Sequence, residues 1–215
     1  MKLSTIFPGI AKSTNWYRRY WKKRSNINWK EAFFNPEHPH RKLIVEALKQ
    51  FQFKSVLEVG CGAGANLYNI KQNFPHSDVG GIDWNEDAIK AAKEMLPKAS
   101  VLQVGEATDI YISDKGADIL LSDMCLIYLD KKNFRKALKE AKRVARNGVV
   151  FCEFHHPSWF MRLFLKLYSG YNAYNYKEEL KKLGFYDIFI RKITDQEWPV
   201  GNPQHTFAYL ITAKP

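Results

Sequence analysis

Gly60, Gly62 and Gly64 alternate with small residues in the run Glu58-Val59-Gly60-Cys61-Gly62-Ala63-Gly64. Glycines at this spacing let a backbone pass close to a ligand that a Cβ would hold off. The run follows an apolar segment and precedes a helical one, so free N–H groups at a helix start face the same ligand. Asp83 stands 23 residues after Gly60, at the end of a second apolar segment. At the open edge of a parallel sheet, an acid there meets the two hydroxyls of a ribose. Gly60, Gly62 and Ala65 also fit the GxGxxG/A pattern of dinucleotide sites, a weak signal alone. Glu58 weighs against that fit, because its carboxylate repels a phosphate and tolerates a cation. Gly105-Glu106-Ala107 places a further acid where an adenine amine could be read.

Acid–base chemistry has a short set of candidates. Asp123, Tyr128, His155 and His156 follow the fourth and fifth apolar segments. His155 equally suits a packed strand-end histidine, and Asp123 a turn or cofactor-side residue. Cys61 fits the glycine loop because it is small, rather than as a nucleophile. Arg41 reads either as a surface cation or as a partner for a ligand carboxylate. Cys61, Cys125 and Cys152 are dispersed, and no His pair stands at metal-ligand spacing with an acid. No metal is expected.

These residues need a frame that alternates strand and helix. Strands are predicted at 55–60, 78–83, 100–105, 117–122 and 148–154. Helices are predicted at 64–73, 85–96, with Asn85 as N-cap, and 129–145. Such alternation calls for a parallel sheet with helices on both faces. After a helix at 176–185, strands at 185–193 and 206–213 follow each other with no helical pattern between. They are expected to pair antiparallel at one edge, completing a Rossmann-like seven-stranded α/β sheet. Trp159, Phe160, Leu163, Phe164, Leu167 and Tyr168 recur at helical spacing. A core-packed helix is the simplest expectation for them, with a substrate lid or a membrane-facing helix as alternatives.

The chain has 215 residues, 46% of them hydrophobic and 26% charged, which excludes a mostly disordered chain. No apolar run approaches the roughly 20 residues of a membrane helix, so no integral membrane association is expected. The first residues make a poor signal peptide, and the cysteine usage suits a reducing cytoplasm. The net charge of +11 is concentrated in residues 1–54, with 12 Lys or Arg against 3 Asp or Glu. Residues 1–39 are expected to form a helical extension or lid, and residues 40–215 the sheet domain. The extension carries Trp16, Trp21, Trp29, Phe33 and Phe34, too many large apolar groups for a solvated arm, and its economical place is over the glycine loop.

The motif Glu58-Val59-Gly60-Cys61-Gly62-Ala63-Gly64 resembles the ExGxGxG motif of class I S-adenosylmethionine-dependent methyltransferases. Asp83 matches that family's ribose-binding acid, and Glu106 stands where the family usually carries Asp for the adenine amine. Residues 117–123 resemble its fourth-strand motif, and residues 143–148 the turn before its fifth strand. The resemblance implies S-adenosylmethionine as cofactor. It implies a cofactor site of Glu58, Gly60, Cys61, Gly62, Gly64, Asp83, Trp84, Glu106, Ala107, Ser122, Asp123 and Arg41. Glu for Asp at 106 shifts part of the adenine contact to the Ala107 N–H. Leu126-Ile127-Tyr128 replaces a loop where many relatives carry histidine, leaving His155, His156 and Tyr128 as catalytic candidates.

Ser122-Asp123-Met124-Cys125 lacks both the Pro-Pro-aromatic run of exocyclic-amine methylation and the Pro-Cys of cytosine chemistry. A small-molecule acceptor is therefore the first expectation. RNA or a ribonucleoprotein is the second, because residues 16–24 interleave aromatics with cations. A cofactor-binding protein without catalysis is the third.

Overall fold

The computed structural model describes residue 9 and residues 12–24, 27–199 and 201–215. Seven strands form one sheet: β1 (Ser55–Val59), β2 (Asp78–Asp83), β3 (Val101–Val104), β4 (Ala117–Asp123), β5 (Ala145–Phe154), β6 (Tyr186–Lys192) and β7 (Ala208–Lys214). Their order is β3-β2-β1-β4-β5-β7-β6. The first five run parallel, and β7 is antiparallel to both of its neighbours. The expected antiparallel pair is therefore present. Its order is the new feature: β7 inserts between β5 and β6.

The helices are α1 (Thr14–Lys22), α2 (Trp29–Phe33), α3 (Pro39–Leu48), α4 (Ala65–Asn73), α5 (Glu86–Met95), α6 (Lys131–Val144), α7 (Trp159–Ser169), α8 (Tyr176–Lys182) and α9 (Gln204–Phe207). The four-residue α9 corrects the expectation of a helix-free connection before β7. Alternate strand residues face opposite ways. Ile119, Leu121 and Val150 pack with Ile44 and Leu48 of α3 and with Leu67 and Ile70 of α4. Leu120, Val149 and Phe151 pack on the other face with Phe134 and Leu138 of α6 and Leu180 of α8.

The stripe on α7 departs from the core-packed expectation. Leu165 is buried, but Trp159 is 68% exposed, Phe160 60% and Phe164 47%. The apolar residues span half of the helix circumference, and only the Leu165 side meets the core. Helical spacing reports an apolar arc; it cannot report whether a core is there to receive it.

The N-terminal helices lie against the carboxyl edge of the sheet. Tyr17 is buried, with its ring 4.8 Å from that of Tyr128. Trp29 is buried against Phe33. The Asn85 side chain caps α5 by accepting from the Ala88 N–H, and its amide donates to the Trp21 carbonyl at 2.6 Å. Asp130 serves two elements at once. Its Oδ1 accepts from the Asn133 N–H at the start of α6, and its Oδ2 accepts from the Thr14 hydroxyl at 2.8 Å. Backbone and hydroxyl hydrogen bonds hold its carboxyl below the ordinary range although burial opposes them. Asp130→Ala should destabilise the fold by about 1–2 kcal/mol in urea unfolding, the usual worth of a lost cap. Stability from Asp130 is present above its unfolded pKa and lost as pH falls through the lowered folded one. The deficit of the variant should therefore shrink in acid. A deficit unchanged at pH 3 would deny the carboxylate that role.

Candidate functional site

A cavity of about 290 Å³ opens at the carboxyl ends of β1, β2 and β4. Its floor is the loop between β1 and α4. Gly60 and Gly62 have φ of +72° and +53°, the left-handed region where side chains are strained. A Cβ on Gly60 would fall 2.5 Å from the Cys125 sulfur, whereas one on Gly62 would meet nothing within 4 Å. The strand-to-helix turn thus needs the first glycine for packing, and the second keeps open space above the backbone.

Asp83 closes the loop from β2. One carboxylate oxygen accepts from the Gly62 N–H at 2.9 Å, the other from the Asn85 N–H at 2.9 Å. Burial raises its pKa although these amides pull it down. Each oxygen keeps a lone pair for a further donor.

Glu58, Asn66, Asp123, Arg41 and His40 form one buried network. The Asn66 amide donates to Glu58 Oε1 at 2.6 Å and to Asp123 Oδ2 at 2.9 Å, and its oxygen accepts from Arg41 at 2.7 Å. His40 Nε2 lies 2.9 Å from the same Asp123 oxygen, and the ring stacks on Trp198 at 4.0 Å between centroids. Burial pushes Glu58 up to about 8, with the Asn66 hydrogen bond opposing. Asp123 goes the other way. Burial would raise it, but the neighbouring His40, Arg41 and Asn66 hold it well below the usual carboxylate range. Glu58 Oε2 and Asp123 Oδ1 are buried without a hydrogen-bond partner. Two unsatisfied acidic oxygens are costly in a closed interior and suit a site built for a cation.

Glu58, Gly60, Cys61, Gly62, Asp83, Trp84, Ala107, Asp123, Arg41 and Tyr128 all line this cavity. Gly64 ends the loop in a left-handed conformation and begins α4. Glu106 does not line the cavity and pairs with Arg18 of α1. Ser122 is buried behind it, donating to Glu153 Oε1 at 2.7 Å. His155 and His156 are not brought there either. His155 Nδ1 accepts from the Tyr176 N–H at 3.1 Å, and burial pushes the ring down to about 4. His156 Nδ1 accepts from the Ser158 N–H at 3.1 Å. The Tyr128 phenol lies in the wall, where burial raises its pKa well above the ordinary value.

Four contributors escaped sequence reasoning. Asn66, two residues beyond the last loop glycine, could have been found as a polar residue in the first turn of the following helix. Glu153, an acid inside an apolar strand, accepts from the Cys125 and Leu126 N–H groups at 2.9 Å each and anchors the turn that carries Tyr128. Its burial pushes it up to about 7. His40 and Trp198 meet only through folding, since 158 positions separate them, and no local signal marks them.

Comparison with known proteins agrees with this geometry. The family model described as a methyltransferase domain matches residues 56–148. A demethylmenaquinone methyltransferase of Tropheryma whipplei is 30% identical over 55% of this chain and 49% of its own length. The chain spans between 32% and 59% of the length of such curated relatives. The crystal structure of the PH0226 protein from Pyrococcus horikoshii OT3 superposes with a TM-score of 0.64 at 21% identity, covering 93% of this chain and 98% of that one. A geranyl diphosphate C-methyltransferase from Streptomyces coelicolor A3(2), solved with S-adenosyl-L-homocysteine, superposes at 0.60 with 13% identity over 80% and 75% of the two chains. These structural likenesses are of fold.

Proposed function

We propose that this chain, whose residues 56–148 match a methyltransferase domain, transfers a methyl group from S-adenosylmethionine to a small molecule held under α1 and α2. The observation that carries the reading is the pairing of the glycine loop and Asp83 with two buried carboxylates whose free oxygens, Glu58 Oε2 and Asp123 Oδ1, await a cation. When bound, the cofactor supplies an electrophilic methyl on a sulfonium, open to attack in line with the departing sulfur.

The residues present fit that group. The Gly60–Gly64 backbone leaves room above Gly62, and Asp83 accepts from ribose hydroxyls. Glu58 and Asp123 draw the amino-acid ammonium, and Arg41, held by Asn66, stands beside them for the carboxylate. Trp84 and Ala107 line the base end. Trp21, Trp29, Phe33 and Tyr128 exclude water and hold the acceptor in line, and orientation of this kind supplies roughly 7–11 kcal/mol. Asp123 is held ionised and is a weak base, while the Tyr128 phenol keeps its proton. This arrangement suits an acceptor that arrives with its electron pair free.

A small acceptor is favoured over RNA because Tyr17 is buried and Trp21 and Trp29 are spent on the cleft wall. The test is incubation with methyl-labelled cofactor and separated metabolite, RNA and protein fractions. Label in the small-molecule fraction supports the reading. Label in RNA or protein alone, or cofactor binding without any transfer, overturns it.

His40 positions Asp123 in this reading. His40→Ala should reduce turnover by about tenfold, and His40→Gln, which keeps a donor, should restore part of it. Equal loss in both variants, or no loss, would remove His40 from the network's function.

A further inference from the structure

We propose that α7, tied at its C-terminal end to the basic N-terminal segment, docks this protein on an anionic lipid surface. Trp159, Phe160, Leu163 and Phe164 are all exposed. At i, i+1, i+4 and i+5 they form one contiguous strip of large apolar groups, opposite the buried Leu165. An exposed strip of Trp, Phe and Leu on a short helix is what lies in the headgroup–acyl boundary of a bilayer.

Charge decides the occupant. Residues 154–177 contain three Lys or Arg and no Asp or Glu. Residues 1–30 contain eight Lys or Arg and again no acid. The fold ties these two acid-free segments together. The Gly9 N–H donates to the Leu167 carbonyl at 2.8 Å, Lys12 Nζ to the Ser169 carbonyl at 3.0 Å, and Lys166 Nζ to the Lys12 carbonyl at 2.6 Å. Arg19 and Lys22 of α1 and Lys23 just beyond it are exposed. The Asp130–Thr14 contact adds exposed Lys131 and Lys132 near the start of α1. An exposed aromatic strip joined to a basic segment, with no carboxylate in either, complements a negative membrane surface. The inference does not rest on the reading of the cleft.

The experiment uses the full chain and extruded vesicles of phosphatidylcholine, with and without phosphatidylglycerol, in a sedimentation assay. The protein should pellet with the anionic vesicles and not with the neutral ones, and less so as salt rises. The variant Trp159→Ser/Phe160→Ser/Phe164→Ser replaces exposed side chains, and matched circular dichroism and melting would verify its fold. It should bind anionic vesicles at least about tenfold more weakly, because insertion of each aromatic contributes to affinity. Arg19→Glu/Lys22→Glu/Lys23→Glu should weaken binding and flatten its salt dependence. No pelleting with anionic vesicles overturns the proposal, as does equal binding by the aromatic variant. A dimer in light scattering that the aromatic variant abolishes, without vesicle binding, would assign the strip to a second copy of the chain. RNA binding lost in that variant, again without vesicle binding, would assign it to nucleic acid.

Discussion

Asp83→Ala is expected to lower affinity for S-adenosylmethionine on the order of a hundredfold, since hydrogen bonds to a charged group contribute about 1.5–3 kcal/mol each and the proposed site gives Asp83 two ribose hydroxyls. The variant also frees the Gly62 and Asn85 N–H groups that Asp83 now satisfies. Asp83→Asn separates the two effects. Its amide oxygen can still accept from one N–H, so the loop is partly retained, but the charge is gone. The expected order of affinity is wild type, then Asn, then Ala, with the product S-adenosylhomocysteine following the same order because it carries the same ribose. Titration calorimetry on both ligands measures it. A dissociation constant unchanged in Asp83→Ala, with the melting curve intact, would remove Asp83 from the ribose site.

Glu58→Gln should move stability and binding in opposite directions. Burial pushes Glu58 up to about 8, against roughly 4.3 in an unfolded chain. The folded protein therefore binds this proton more tightly than the unfolded one. Stability from this group is full in acid and declines as pH rises from about 4 through about 8. Glutamine keeps an acceptor for Asn66 and never ionises. The ligand-free variant should be more stable than wild type above pH 8, by about 1 kcal/mol or more, and for a chain of this size each 1 kcal/mol is worth roughly 2–4 °C in Tm. Affinity for the cationic cofactor should fall by about tenfold. Near pH 7, wild-type Glu58 gives up its proton as the ammonium arrives, so binding should release a proton that the variant does not. Calorimetry in buffers of different ionisation enthalpy counts it. Equal proton release by both proteins would place the titrating group elsewhere.

The frame of this site was legible because strand–helix alternation and the glycine run are local signals. Val56, Leu57 and Val59 read as a buried strand, and they are one. Asn85 read as a cap, and its side chain accepts the Ala88 N–H. What was illegible depends on where elements meet. His155 and His156 follow β5 as expected, yet the chain turns them toward Tyr176 and Ser158 and away from the cavity. Nothing in their spacing encodes that turn. Glu106 stands at the anticipated position, but its partner Arg18 comes from 88 positions earlier. The α7 strip was misread for a related reason: burial belongs to the neighbourhood of a helix, and periodicity describes only the helix.

The order β5-β7-β6 carries a consequence for how the chain is made. Residues 186–192 leave the ribosome before residues 208–214, yet β6 is hydrogen-bonded to the sheet only through β7. Until β7 arrives, the nascent sheet ends at β5. Its edge offers unpaired N–H and C=O groups along Val149–Phe154, flanked by side chains that the finished fold buries completely. Such an edge is a template for pairing with other chains. The interval between synthesis of the fifth strand and of the seventh is thus a stage of biosynthesis exposed to aggregation, and one at which a chaperone would find an edge to hold.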